Sequence, residues 1–301
     1  MNRILRISPG FLLLLLFLAG CAKKEFDSFY ARPDNLAQPI YQQLVARNNF
    51  KNLLACIDKA GYKEILSTAG YWTFFAPNDA AFQKYFTESG TSAATMDSVT
   101  SRKIVTFSLV YNAFRKDQLT NYQSSLGVLP NLAFKRKTAY YDFVQTESGE
   151  TRKIVASNRN GFYVANDNNN KNIPYFIDNF LTTKGLSASD YNFFYPATTF
   201  SGFNVVDASV VNADIVAENG MIHEIDKVLL PLPSIEQYIE SKANYSEFRS
   251  LLQKKASYMS NNDLSHRYQV LTGSTDSVFV KTICVNAWFL SEQRELYFGW
   301  D

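Results

Sequence analysis

A strand that runs directly into a helix is encoded in residues 71–82, and this junction constrains the fold more than any other feature. Its first six residues are mostly aromatic and β-branched, which favours a strand, and Pro77 stops that strand. Asn78 and Asp79 then supply side-chain oxygens for the free N–H groups at the start of the next helix. With Phe75 in a core strand, the junction predicts a fold that mixes α and β elements.

A β-hairpin is predicted near the far end of the chain. Residues 214–218 and 221–230 alternate between apolar and polar side chains on either side of Asn219-Gly220. This dipeptide is the strongest short hairpin signal, because both residues tolerate positive φ. We therefore expect Asn219 and Gly220 to form the turn.

His223 lies in the second strand of that hairpin, where it shares a face with Met221 and Ile225. Because these neighbours are apolar, we expect a buried histidine hydrogen-bonded to nearby backbone rather than a ligand-binding or catalytic one. Asp226 falls on the opposite face, where we expect it to act as a structural hydrogen-bond partner.

Helical spacing of apolar residues appears twice near the start, from Leu36 to Leu44 and from Phe50 to Ile57. Asn48 or Asn49 is expected to cap the second helix, and Gly61 to end it. The pattern returns at a constant offset of 195 residues, in the pairs Ile40/Ile235, Gln42/Gln237, Leu44/Ile239, Asn49/Asn244, Phe50/Tyr245, Leu53/Phe248 and Ile57/Leu252. The ungapped offset favours a duplication over two unrelated pairs of amphipathic helices.

These stretches resemble the fasciclin family. Thr73–Phe82 is similar to the first signature of fasciclin domains, and Asn219–Pro231 is similar to the second. The resemblance covers residues 37–232 and implies an α+β fold, a wedge of twisted antiparallel sheet packed with helices. Residues 233–301 are interpreted as a partial or degenerate second copy. The signature residues that the resemblance marks as structural are Phe75, Pro77, Asn78, Asp79, Asn219, Gly220, His223 and Asp226.

One position departs from the animal members of the family. These resemble one another in a Tyr-His pair that is linked to integrin adhesion. The matching stretch here has Tyr111 followed by Asn112. The resemblance therefore does not extend to integrin-type binding.

The N-terminus resembles the leader of a bacterial lipoprotein. Arg3 and Arg6 precede an apolar run at residues 11–19, which is shorter than the about 20 residues that a membrane-spanning helix needs. Leu18-Ala19-Gly20-Cys21 then resembles the lipobox, in which the cysteine is acylated. A plain signal peptide that contains a cysteine is the weaker alternative.

The lipobox sets the expected processing and location. We expect residues 1–20 to be removed as a signal peptide, Cys21 to carry the lipid, and residues 21–36 to form a tether. Ala22 follows the cysteine, which by resemblance to lipoprotein sorting favours the outer membrane. Whether the protein faces the periplasm or the cell surface stays open. The sequence thus predicts a membrane partner reached through an N-terminal lipid anchor.

The charge balance argues against nucleic acid as a partner. The chain has 30 basic and 28 acidic residues, whereas a nucleic-acid binder carries a basic excess that neutralises phosphates. Without Arg3 and Arg6 the two counts become equal. Net charge therefore does not hold the protein at a membrane, whereas acyl chains do.

No catalytic residue, metal site or cofactor is predicted. Only two histidines exist, and no nucleophile elbow, zinc-protease helix or phosphate-binding glycine loop occurs. Residues 167–172 (DNNNKN) are expected to form a solvated loop, since they lack the acids of a calcium loop. A carboxylate-pair hydrolase would leave no such motif, and stays an alternative of low weight. Cys56 is expected to be a buried free thiol, with a Cys56–Cys284 bridge as the alternative.

Aromatic clusters are the candidate binding residues. They occur at Tyr140-Tyr141, at Phe162-Tyr163 and at Phe193-Phe194-Tyr195. Core packing is the more common use of such clusters. Phe193, Phe194 and Tyr195 are the best candidates for an exposed platform, because they lie in an insertion between the two signatures and precede Pro196.

The function predicted from these features is that of a non-enzymatic, lipid-anchored module of the cell envelope. It would serve in adhesion or protein interaction, as the resemblance implies. The alternative is an accessory glycan-binding lipoprotein of an outer-membrane polysaccharide-uptake system, in which exposed aromatic rings stack on sugars.

Overall fold

The computed structural model describes residues 36–68, 70–147, 152–157 and 170–283. The description below concerns the compact unit that begins at Gln38. Cys21, residues 22–35 of the predicted tether, Phe162-Tyr163 and Cys284 lie outside the described residues. Of the helices in the described part of the chain, none has the length and apolarity of a membrane span.

Helices and strands are mixed along the chain, which confirms the predicted α+β class. The helices are α1 (Ile40–Arg47), α2 (Lys51–Ala60), α3 (Lys63–Thr68), α4 (Asp79–Ser89), α5 (Ser98–Ser108), α6 (Lys116–Leu119), α7 (Asp178–Thr183), α8 (Ala188–Phe194), α9 (Ile235–Glu240), α10 (Ser246–Lys254) and α11 (Asn262–Thr272). The strands are β1 (Trp72–Pro77), β2 (Leu109–Tyr111), β3 (Tyr122–Ser124), β4 (Gly127–Leu129), β5 (Lys135–Tyr141), β6 (Val144–Glu147), β7 (Lys153–Ala156), β8 (Asn170–Ile177), β9 (Phe203–Val205), β10 (Ala208–Ala217), β11 (Gly220–Ile225), β12 (Ala256–Ser260) and β13 (Val278–Ile283).

Seven strands close into a barrel in the order β1-β11-β10-β9-β8-β5-β2. The predicted hairpin is formed by β10 and β11, and all neighbours are antiparallel except one pair. That pair is β1 and β11, the two signature strands, which run parallel with Phe75 opposite His223 and Pro77 opposite Ile225. The resemblance implied an antiparallel sheet, and that prediction is wrong for this pair. The two strands are distant in sequence, and they run parallel where they pair to close the barrel.

Strand alternation sends successive residues of β1 into two cores. Phe74 packs with Ile222 and with apolar residues of the surrounding helices α1, α2, α4 and α5. Phe75 packs with Ile225 and with residues of the barrel strands. Both Phe75 and Ile225 are fully buried in the same cluster. The two signature strands are therefore neighbours that share both cores of one scaffold.

A second, four-stranded sheet has the order β12-β13-β7-β6. In it, β13 runs parallel to β7, with Val278 opposite Ile154. These two side chains form a small third core with Leu264. Residues after 232 thus complete a sheet that residues 144–156 begin, and hydrogen bonds cross the predicted domain boundary at 232/233. The division into one full and one partial domain stays a prediction.

The loop predicted at residues 167–172 is wrong over Asn170–Asn172, which begin β8. Their backbone pairs with β5, where Asn170 faces Tyr141. The amide of Asn170 is buried and donates to the carbonyl of Thr138 at 2.9 Å. A partner strand thus satisfies polar groups that a single sequence assigns to solvent.

Candidate binding surface

The strand-to-helix junction is organised around one buried carboxylate. Asn78 caps α4 as predicted, its side-chain oxygen accepting from the N–H of Ala81 at 2.9 Å. Its amide nitrogen donates to Oε1 of Glu224 on β11 at 2.9 Å, and Asn49 donates to the same oxygen at 2.9 Å. Glu224 therefore joins both signatures and the start of α2. Neither Glu224 nor Asn49 was predicted as a partner of these elements, because the bonds span 146 and 175 residues.

Asp79 does not cap the helix in which it lies, and the prediction is wrong on this point. Its carboxylate accepts from the backbone N–H of Asn52 at 2.8 Å and of Lys51 at 3.1 Å, at the start of α2. The N-cap position of α2 is occupied by Phe50, whose side chain makes no cap hydrogen bond. Neither Asn48 nor Asn49 fills that role, so a residue 28 positions away supplies the cap.

The hairpin turn lies at Glu218 and Asn219, one residue earlier than predicted. Neither Asn219 nor Gly220 has positive φ. Gly220 is instead required by a close approach, since a Cβ atom there would lie 2.1 Å from the carbonyl oxygen of Trp72. Asn219 accepts from the N–H of Ile40 at 2.8 Å and donates to the carbonyl of Leu66 at 3.1 Å, which ties the hairpin to α1 and α3.

His223 is fully buried and both ring nitrogens have partners. Nδ1 accepts from the N–H of Asp214 at 3.2 Å, and Nε2 lies 3.0 Å from the carbonyl oxygen of Phe114, so Nε2 carries the proton. The ring stacks on Phe75 at 5.5 Å and meets Phe203 edge-on at 5.4 Å. Burial lowers its pKa below the usual 6.5, which keeps the ring neutral. The geometry is that of a structural residue.

Asp226 lies beside a polar cavity of about 330 Å³. Its carboxylate accepts from the N–H of Ser209 at 2.8 Å, which fits the structural role predicted for it. The cavity also contains the ion pair between Lys227 and Asp207, at 2.5 Å. It is lined by Ala81, Lys84, Tyr85, Glu88, Ala197, Thr198, Thr199, Asp207, Ser209, Asp226, Lys227 and Val228. Carboxylates, amines and hydroxyls around an open space suit a ligand that is rich in hydroxyl groups.

The aromatic segment at residues 193–195 divides into an exposed and a packed part. Phe193 is 79% exposed and Phe194 is 71% exposed, and their rings meet edge-on at 5.3 Å. Tyr195 is half-buried, with its ring 5.1 Å from that of Tyr191 and 5.6 Å from that of Phe176. The surface is therefore a pair of phenylalanines, and Tyr195 belongs to its support.

Comparisons with known proteins identify the family to which this fold belongs. The model of the Fasciclin domain matches residues 48–231, more than half of the chain. The chain belongs to the fasciclin family. A solved structure described as a FAS1 domain pair from the insect cell adhesion molecule Fasciclin I is similar over 72% of this chain, at 14% identity and a TM-score of 0.27. The match spans 57% of that insect chain. A search of curated proteins found no match.

Within this fasciclin domain, Asn112 follows Tyr111 at the end of β2. Its backbone is in the left-handed conformation, with φ of 69°. Its carbonyl accepts from the hydroxyl of Thr73 at 2.7 Å. Asn112 thus ends β2, next to the exposed Tyr111.

The described residues offer little reactive chemistry. Cys56 is a buried free thiol, as predicted, and burial raises its pKa to about 12. Within residues 36–68, 70–147, 152–157 and 170–283, no group of three or more His, Cys, Asp or Glu side chains is placed to hold a metal. The buried signature residues maintain the scaffold, and the exposed phenylalanine pair and the polar cavity are the candidate binding features.

Proposed function

We propose that this chain is a non-enzymatic, lipid-anchored module of the cell envelope that binds a protein partner in adhesion. Fasciclin domains serve in adhesion and protein-interaction modules. The lipobox at Leu18–Cys21 supports the anchor, and Ala22 supports sorting to the outer membrane. The observation that carries the protein-binding role is the exposed pair Phe193 and Phe194.

The two phenylalanines are held in place by a rigid base. Tyr191, on the same helix α8, is buried, and its hydroxyl donates to the carbonyl of Val206 at 3.0 Å. Asn204 donates to the same hydroxyl at 3.1 Å. A preorganised aromatic pair loses little conformational freedom on binding, which is what an interface anchor requires.

Site-specific photo-cross-linking on intact cells tests the protein-binding role. A photoreactive phenylalanine at position 193 is expected to form an adduct with a defined envelope protein. The same group at Tyr71, an exposed aromatic residue outside this surface, is expected to form none. Phe193→Ala with Phe194→Ala should weaken binding of the identified partner by about tenfold or more and leave the melting temperature unchanged. Equal adducts from both positions would contradict the proposal.

Metabolic labelling with an alkyne fatty acid tests the anchor separately. The wild-type chain is expected to incorporate the label and to fractionate with the outer membrane. Cys21→Ser should abolish labelling, whereas Cys56→Ser should keep it, because the Cys56 thiol is buried in the folded domain. Retained label in Cys21→Ser would refute the anchor.

The second candidate function is glycan binding in a polysaccharide-uptake system, and the polar cavity favours it. Thr198 and Thr199 of the cavity lie a few residues beyond Phe194, and Lys84 and Glu88 stand exposed on α4 at the cavity. A glycan array on the mature chain tests this function. Glycan binding that is lost in the double variant Lys84→Ala with Glu88→Ala, and kept in the control Tyr71→Ala, would favour a glycan over a protein as the ligand of this chain.

A further inference from the structure

A short hairpin formed by β3 and β4 carries apolar side chains that the described part of the chain leaves exposed. Leu126, in its turn, is 96% exposed, and Tyr122, Val128 and Leu129 are exposed as well. The register places Tyr122 opposite Leu129, and Val128 next to that pair along the strand. Because successive residues alternate in direction, Val128 projects from the face opposite to that of Tyr122 and Leu129. The hairpin therefore exposes apolar side chains on both faces and at its tip, with the polar Gln123 paired to Val128 on the second face.

The base of this hairpin is fixed to the barrel. The guanidinium of Arg136 donates to the carbonyl of Leu119 at 2.9 Å and also to that of Asn121. The hydroxyl of Tyr175 donates to the carbonyl of Leu119 at 2.6 Å. An isolated two-stranded hairpin is marginal in water, so a fixed base with an uncovered tip indicates a surface that something else covers.

The exposed ring of Phe134 follows the hairpin in the chain, packs on the buried Phe180 of α7, and has lysines near it. The ring of Phe134, which is exposed, lies 6.3 Å from that of Phe180 on α7. The ammonium of Lys135 stands 5.2 Å from the Phe134 ring, and that of Lys184 stands 5.8 Å from the Phe180 ring. Residues 118–137 contain no aspartate or glutamate. The electrostatic complement of this surface is an anion.

We propose that the β3–β4 hairpin inserts into the interface of an anionic phospholipid bilayer, with Lys135 and Lys184 at the headgroups. A protein groove covers one face of a hairpin, whereas an acyl interface covers both faces and the tip at once. At about 3.3 Å per residue the three-residue strands extend about 10 Å, which matches the 5–10 Å depth of interfacial elements. The open edges of the hairpin limit it to the interface, because unpaired backbone groups need water.

This inference is independent of the lipid anchor and of the phenylalanine pair. The compact unit begins at Gln38, so residues 22–301 contain all of it without the leader or acyl chains. Flotation of residues 22–301 with vesicles is therefore the test. Vesicles of phosphatidylglycerol and phosphatidylcholine in equal parts should bind the protein, and vesicles of phosphatidylcholine alone should bind it more weakly. Added salt should reduce the difference.

Leu126→Ser should weaken binding to the anionic vesicles by about tenfold or more, which is the factor for burial of one leucine side chain. Lys135→Gln and Lys184→Gln should each weaken it by about fivefold, and only on anionic vesicles. Val99→Ser, at an exposed apolar residue on α5, is the matched control and should bind like wild type. Unchanged melting temperatures would show that every variant folds.

Three results would overturn the inference. They are an absence of vesicle binding by the wild-type chain, equal binding by Leu126→Ser and wild type, and equal losses in Leu126→Ser and Val99→Ser. Cross-linking of position 126 to a protein, without vesicle binding, would assign the hairpin to a protein interface instead.

Discussion

The two helix pairs related by the 195-residue offset begin at matching positions and have opposite surroundings. Helix α1 begins at Ile40 and α9 at Ile235, while α2 begins at Lys51 and α10 at Ser246, so both starts keep the offset. In the first pair the apolar positions are fully buried, namely Ile40, Leu44, Phe50, Leu53 and Ile57. In the second pair no residue is buried, and Ile235 is 80% exposed and Phe248 50% exposed.

The difference shows that an amphipathic pattern specifies a helix, but does not specify which other element, if any, buries its apolar face. Helices α1 and α2 pack on Phe74, Ala76 and Ile222 of the signature strands. Instead of covering such strands, the region after residue 232 contributes β12 and β13 to the sheet that β6 and β7 begin. The matching helix starts agree with a duplication, which stays a prediction, and the burial shows that the two helix pairs differ in their surroundings.

The largest effect that sharpens this comparison is expected from truncating matched core positions. Phe50→Ala should lower the free energy of unfolding by about 3–5 kcal/mol, because it empties a fully buried site. Tyr245→Ala, at the position that the offset pairs with Phe50, should lower it by at most about 1 kcal/mol, since its side chain is already exposed. Urea unfolding measures both values. Equal losses would show that the second pair is buried in solution.

A smaller effect is expected from the long-range cap. Asp79→Ala should cost about 1–2 kcal/mol, because it leaves the N–H groups of Lys51 and Asn52 without their acceptor. The control is Asp263→Ala, in the first turn of α11, where loss of an exposed charge near the helix start should cost at most about 0.5 kcal/mol. Thermal and urea unfolding measure both. A loss for Asp263→Ala as large as that for Asp79→Ala would contradict the capping role.

The smallest effect separates the two histidines, one in each region. Burial depresses the pKa of His223 in the folded state, so the unfolded chain binds one more proton below about pH 6.5. Stability should therefore fall as the pH decreases from about 6.5 to about 5, with a slope of up to about 1.4 kcal/mol per pH unit.

His223→Gln should remove this slope, although the variant is less stable overall. His266→Gln, at an exposed residue of α11, should keep it. Urea unfolding at a series of pH values makes the measurement. The structural account of His223 fails if the slope survives its replacement.

The helices and strands that depend on neighbouring residues were predictable. Gly61 ends α2 in the left-handed conformation, and Asn78 begins α4, because both act within one turn of their own helix. Asp79, Gly220 and Asn170 were assigned wrong local roles. In each case the deciding partner lies in another element, respectively the start of α2, the backbone of β1 and the strand β5.

The candidate surface was predictable only in part. The run Phe193-Phe194-Tyr195 indicated an aromatic cluster, but its sequence does not show that Tyr195 packs inward on Phe176 while the two phenylalanines face solvent. The polar cavity left no local signal, because its lining comes from α4, from residues 197–199 and from the ends of β10 and β11. Periodicity alone did not reveal the β3–β4 hairpin either, since its strands have only three residues each.

The amino-acid sequence by itself determined the α+β class, the two signature elements and the helices α1, α2, α4, α9 and α10, because these depend on side-chain spacing and on caps within a few residues. Only the tertiary structure decided that the signature strands pair in parallel to close a barrel, that a distant carboxylate caps α2, and which amphipathic faces are covered. Those outcomes depend on contacts between elements that are distant in sequence, from 28 residues for the cap of α2 to more than a hundred for β1 and β11. A single sequence does not specify which of many compatible partners makes each contact.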